Sequence, residues 1–127
     1  MAKILLIEDD QAYRETLEIV LRDQGHEVTG AGTGDAGIEQ ANAGDFDLVI
    51  TDMVMPETGG LQVASAIKAK FPDMAVIGIT GNWRRSYAYY QECAEFSGID
   101  EFLAKPVSIQ TLTESIDRIV NRDAASS

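Results

Sequence analysis

Four short apolar runs in this chain each break off at a residue that can do chemistry. Lys3-Ile4-Leu5-Leu6-Ile7 ends in Glu8-Asp9-Asp10, and Leu48-Val49-Ile50 ends in Thr51-Asp52. Ala75-Val76-Ile77-Gly78-Ile79 ends in Thr80-Gly81, and Phe102-Leu103-Ala104 in Lys105-Pro106. Continuous apolar runs of this length suit strands buried on both faces, as in a parallel sheet. Pro56 cannot donate to a strand ladder, so the central run has ended before it and Asp52 stands at that strand's carboxyl end. An aspartate there is either a plain turn residue or a group placed where open α/β sheets bind ligands. The polar ends of the other runs decide for the second reading.

Between the runs the pattern becomes helical. Tyr13, Leu17, Val20 and Leu21 form one stripe ahead of Gly25, and Ala36, Ile38 and Ala41 mark a second helix over 34–43, weakened by Gly34 and Gly37. A third runs from Gly60 to Lys70 with Leu61, Val63, Ala64 and Ile67 inward and Pro72 beyond its end. A fourth falls within 82–97 and stops near Gly98. Ser108 caps a fifth, whose inward face is Ile109, Leu112, Ile116, Ile119 and Val120. Glu27-Val28-Thr29 adds a weaker strand. Five strands alternating with five helices predict an α/β fold: a doubly wound five-stranded parallel sheet with helices on both faces. The carboxyl ends of the strands then share one edge, which collects Glu8, Asp9, Asp52, Thr80 and Lys105.

The chain's 127 residues fit one domain, and a hydrophobic content of 45% excludes a disordered chain. No apolar run nears the ~20 residues that span a bilayer. A single cysteine, Cys93, cannot form an internal disulfide, which points to a reducing cytoplasm and a packed thiol. Ten Lys+Arg against 21 Asp+Glu give a net charge of −11. That field repels nucleic acid and anionic membranes, so protein partners are expected and direct nucleic acid binding is not. His26 lies in a Gly-His-Glu turn and reads as an exposed loop residue.

Acids gathered in one crevice need a proton or a cation between them. Two unit charges ~4 Å apart cost roughly 4 kcal/mol at an effective dielectric of 20. Hard oxygen ligands without nearby His or Cys suit Mg²⁺, with its few carboxylates, waters and a phosphate oxygen. Lys105 adds a compact positive charge and Thr80 a directed hydroxyl. Together these groups meet the needs of phosphoryl transfer, in which a carboxylate can itself be the nucleophile.

The ordered set Ile7-Glu8-Asp9-Asp10, Asp52-Met53-Val54-Met55-Pro56 with Gly60, Thr80-Gly81 and Lys105-Pro106 resembles the receiver domain of two-component response regulators. The resemblance covers about 2–121; it implies a receiver domain over 1–121, a polar tail at 122–127, and the flavodoxin-like strand order 2-1-3-4-5. It implies that Asp52 accepts a phosphoryl group from the phosphohistidine of a sensor histidine kinase or histidine phosphotransfer protein. Mg²⁺ would be held by Asp9 directly, by Glu8 mainly through water, and by Asp52 and the Val54 carbonyl. Lys105 would pair with the carboxylate and then with phosphoryl oxygens. Thr80 and Phe102 would be the switch residues, and Lys105-Pro106 a cis bond. Such a protein is a signalling switch rather than an enzyme, catalysing only its own phosphoryl transfer and dephosphorylation. With no effector domain after residue 121, the chain reads as a stand-alone regulator, a phosphorelay intermediate, or a receiver excised from a longer protein.

Three features depart from the family pattern. Glu8 replaces the commoner aspartate; Gly59 stands where an acid usually caps the third helix; and the stretch from Thr80 to Lys105 is longer and rich in aromatics. The family's output face is the fourth helix, fifth strand and fifth helix. Trp83, Arg84, Arg85, Tyr87, Tyr89 and Tyr90 therefore form either a partner surface or a locally enlarged core. Two other functional classes fit less well. A Mg²⁺-dependent phosphatase with an aspartyl nucleophile commonly has a second acid two residues on, where this chain has Val54. A flavin binder would need hydroxyls and amides in the first loop, which here is acidic.

Overall fold

The structure, a computed structural model, describes residues 2–81 and 98–126, with side chains described through residue 121. The helix expected within 82–97, and with it Trp83, Arg84, Arg85, Tyr87, Tyr89 and Tyr90, lies outside the described residues. Five strands form, β1 (Lys3–Ile7), β2 (Glu27–Ala31), β3 (Leu48–Asp52), β4 (Ala75–Thr80) and β5 (Glu101–Ala104). All pair in parallel in the order β2-β1-β3-β4-β5. The described helices are α1 (Gln11–Asp23), α2 (Gly34–Ala43), α3 (Gly60–Lys70) and α4 (Ile109–Ser126), the last being the fifth of the sequence reading.

Alternation along the strands divides the core into two layers. Ile4, Leu6, Leu48, Ile50, Ile77 and Ile79 pack on Leu17 and Leu21 of α1 and on Leu112, Ile116 and Ile119 of α4. Leu5, Ile7, Val49 and Val76 pack on Ala41 of α2 and on Val63, Ala64 and Ile67 of α3. The central strands are apolar on both faces because each face is covered by helices. Capping follows local chemistry. Asp10 accepts the Tyr13 N–H at 3.1 Å, Thr33 the Ala36 N–H at 3.0 Å, and Ser108 the Thr111 N–H at 3.0 Å. Gly25, at φ 91°, lets the chain leave α1.

Several boundaries differ from the sequence reading. β2 extends to Ala31 despite Gly30, because its whole length pairs with β1 from Lys3↔Glu27 to Ile7↔Ala31. The last helix continues through Ser126 instead of giving way to a tail near Asn121, since Arg122-Asp123-Ala124-Ala125 contains no breaker. His26 is not an exposed loop residue. It is half-buried, its Nδ1 accepts the Ala2 N–H at 3.0 Å, and burial holds its pKa below the ordinary histidine value.

The register brings the strand ends level. Ile7 pairs with Thr51, Asp52 with Ile79, and Thr80 with Ala104, so Glu8, Asp52, Thr80 and Lys105 fall along one edge. Gly60 makes this edge compact, because a Cβ there would sit 2.6 Å from the Asp52 carbonyl oxygen. Gly60→Ala is expected to destabilise the protein by about 2–3 kcal/mol, since the obstructing atom is rigid backbone. Urea unfolding measures the loss, and an unchanged midpoint would show that the loop yields freely.

Candidate functional site

Each side chain at this edge is delivered by a strand that has just ended. Glu8 follows β1 and is held there by its N–H to the Ala31 carbonyl (3.0 Å), while the Arg14 guanidinium donates to the Glu8 carbonyl at 2.7 Å. Asp9 follows into solvent. Asp52 is the last residue of β3, and its Oδ1 accepts the Val54 N–H at 3.2 Å. Thr80, the last residue of β4, is buried, and its carbonyl accepts the Lys105 N–H at 2.9 Å. Lys105 leaves β5 ahead of a cis bond to Pro106.

The geometry is tight. Lys105 Nζ lies 2.6 Å from Glu8 Oε1 and 2.9 Å from Asp52 Oδ2. Glu8, Asp9 and Asp52 each present a carboxylate oxygen within 4.8 Å of the others. One lysine is therefore shared by two acids, with a third close by. Glu8 is 2% exposed and Asp52 6% exposed, whereas Asp9 lies open to solvent. Burial, followed by the shared hydrogen bond with Asp52, pushes the Glu8 carboxyl up to about 7, with the Lys105 pair opposing that rise. The two carboxylates in turn hold the Lys105 ammonium above its ordinary pKa, against the effect of its burial.

A divalent cation fits this donor set. Among the described residues, Glu8 Oε2 is buried with no hydrogen-bond partner, although buried carboxylate oxygens are ordinarily satisfied. The group contains only hard oxygen donors, the chemistry that suits Mg²⁺. A metal there would satisfy the orphan oxygen and offset the negative charge left over by Lys105.

The sequence-derived residues Glu8, Asp9, Asp52, Thr80 and Lys105 thus fall along one edge of the sheet, with the Val54 backbone beside Asp52. The Val54 side chain is 62% exposed at the rim. Phe102 stands farther off, half-buried against the α2/α3 layer, where a Cβ on Gly78 would lie 3.0 Å from its ring. Asp10 serves as the α1 cap, and Glu57 is an exposed loop residue at φ 67°. The absent acid before Gly60 leaves this helix without a side-chain cap, although Gln62 Oε1 reaches back to accept the Gly59 N–H at 2.8 Å. Sequence reasoning counted Tyr13 as a core residue and gave Arg14 no part. Yet the Tyr13 ring centroid lies 4.9 Å from Lys105 Nζ. Helical periodicity assigns Tyr13 a face but cannot show that a lysine 92 residues later (105 − 13) arrives there.

Comparison with known proteins agrees with this arrangement. A family description, response regulator receiver domain, matches residues 4–117. The DNA-binding transcriptional regulator NtrC of Azospirillum brasilense is 33% identical over 120 residues, covering 94% of this chain and 24% of that protein. The chain therefore spans about a quarter of that relative's length. A receiver domain protein from Clostridium thermocellum superposes with a TM-score of 0.88 at 34% identity over 100% of both chains. Response regulator TrrA of Thermotoga maritima, solved in complex with Mg²⁺-BeF, superposes with a TM-score of 0.81 at 30% identity, covering 94% of this chain and 99% of that one. With its fold, its cluster of strand-end acids and its matched span all in agreement, this chain belongs to the response regulator receiver domain family of two-component systems.

Proposed function

We propose that the protein is a phosphorylation-driven switch whose phosphoacceptor is Asp52, served by Mg²⁺ and loaded from a phosphohistidine. The observation that carries this reading is the cluster joining Asp52 to Lys105 at 2.9 Å and to two further acids within 4.8 Å. Asp9, Glu8, Asp52 and the Val54 carbonyl would hold the ion, Glu8 mainly through water. Bound there, it supplies charge neutralisation for the phosphoryl oxygens.

The chain's own groups account for the remaining chemistry. An Asp52 carboxylate oxygen attacks phosphorus in line with the donor nitrogen. As the new O–P bond forms the N–P bond breaks, and the departing imidazole takes a proton from water. Lys105 pairs with Asp52 beforehand and follows the charge onto the phosphoryl oxygens. Little covalent assistance is needed beyond this positioning. The Thr80 hydroxyl binds the phosphoryl group, and Phe102 follows it in the switch. The receiver fold spans 1–121, and the donor is a sensor histidine kinase or a histidine phosphotransfer protein in the cytoplasm. The output partner is a protein docking on the last strand, α4 and the 82–97 segment with its Trp83, Arg84, Arg85, Tyr87, Tyr89 and Tyr90.

Amide chemical-shift mapping with Mg²⁺ and a beryllofluoride phosphoryl mimic tests the reading. Shifts should centre on residues 8–9, 52–54, 80 and 105. Shifts confined elsewhere, or none at all, would contradict it.

A further inference from the structure

We propose that Tyr13 is a positioning residue for Lys105, fixing the ammonium against the site carboxylates. This rests on the phosphoacceptor reading for its consequence, although the contact itself can be measured without any phosphoryl transfer. Lysine has a flexible four-carbon stem and a compact charge, so two acceptors alone leave its approach loosely determined. Here a third surface completes the cage. The Tyr13 ring centroid lies 4.9 Å from Lys105 Nζ, within cation–π range, while Glu8 Oε1 and Asp52 Oδ2 take the ammonium at 2.6 and 2.9 Å.

Both ends of Tyr13 are anchored. Its backbone N–H donates to the α1 cap Asp10 at 3.1 Å. Its hydroxyl accepts the Val107 N–H at 3.1 Å, and the side chain packs on the core layer shared by α1 and α4. Val107 lies two residues beyond Lys105, so the ring touches the ammonium while the hydroxyl grips the loop that carries it. One side chain therefore sets both the lysine's head and its base. The ring face favours a cation at the place where the attacking Asp52 and the incoming phosphoryl oxygens need one.

Tyr13→Phe keeps the ring and loses the loop bond; Tyr13→Leu loses both. In the wild type, the Lys105 Hε protons should resonate upfield under the ring current. That shift should persist in Tyr13→Phe and vanish in Tyr13→Leu. With a small acyl phosphate and saturating Mg²⁺, the phosphorylation rate should fall about tenfold in Tyr13→Leu and recover to within about threefold of wild type in Tyr13→Phe. A wild type with no upfield shift at Lys105 overturns the proposal even if Tyr13→Leu fails to fold. So does a Tyr13→Leu protein that is folded and phosphorylates at the wild-type rate. A wild type that shows the upfield shift but takes up no phosphoryl group contradicts the phosphoacceptor reading instead, and leaves the lysine contact established.

Discussion

Asp52→Asn is expected to remain folded and to take up no phosphoryl group under conditions in which the wild type gains one per chain. The carboxamide keeps the shape of the side chain and an oxygen able to accept the Val54 N–H, which Asp52 Oδ1 accepts at 3.2 Å. It removes the anionic nucleophile, and it weakens the Lys105 contact now seen at 2.9 Å. A neutral amide oxygen attacks phosphorus poorly, so uptake should fall by about 10³-fold or more, below detection in an intact-mass assay with a small acyl phosphate. Stability should change little or rise. The substitution takes one negative charge from a buried pair of acids, Glu8 and Asp52, that share one lysine. Uptake by Asp52→Asn at the wild-type rate would place the acceptor elsewhere.

Proton competition at Glu8 gives the second large effect. Its carboxyl is pushed up to about 7 by burial and by the hydrogen bond with Asp52. A divalent cation binds best to the ionised form, so its binding below pH 7 must displace a proton. Apparent Mg²⁺ affinity should therefore weaken by up to about tenfold per pH unit, reaching about 100-fold between pH 7 and pH 5. The metal-free protein should behave in the opposite sense. A folded-state pKa above the ordinary 4.5 means that the neutral form is favoured on folding. The stabilisation is complete below pH 4.5 and is lost as pH rises through 7. From this group alone, the protein in chelator should lose up to about 3 kcal/mol between pH 4.5 and pH 8, and Mg²⁺ should restore stability at the upper end. Glu8→Gln should flatten both profiles. Titrations at fixed ionic strength, paired with urea unfolding, measure the two trends; a pH-independent Mg²⁺ affinity would contradict a raised Glu8 carboxyl that takes part in binding.

How legible this protein was from its residues depended on the range of the interaction. β3 and β4 could be read directly, because a strand buried on both faces must be apolar at every position, as Leu48–Ile50 and Ala75–Ile79 are. β2 was read short because it is the edge strand. Glu27 and Gly30 are exposed there, and only pairing with β1 reveals its full length. Caps such as Ser108 and Asp10 were visible or nearly so, since they act across three residues. The acids at the strand ends were legible by the same logic, because parallel strands put their carboxyl ends on one edge.

Contacts between distant segments could not be read this way. Nothing in the pattern around Tyr13 distinguishes a core ring from one that meets Lys105, and nothing around His26 shows that Ala2 reaches it. The extra protonation tendency of Glu8 also arises only once folding buries it beside Asp52. Local chemistry specified the elements, and the sheet's register specified the site.

The claim on which the account rests is that Asp52 is the group that receives phosphorus. Reductive trapping tests it most directly, because borohydride converts an aspartyl phosphate to homoserine. After incubation with a small acyl phosphate and Mg²⁺, peptide mapping should find homoserine at position 52, and none when a chelator replaces the metal. Homoserine at another aspartate, or an unmodified peptide in the presence of Mg²⁺, would contradict the account.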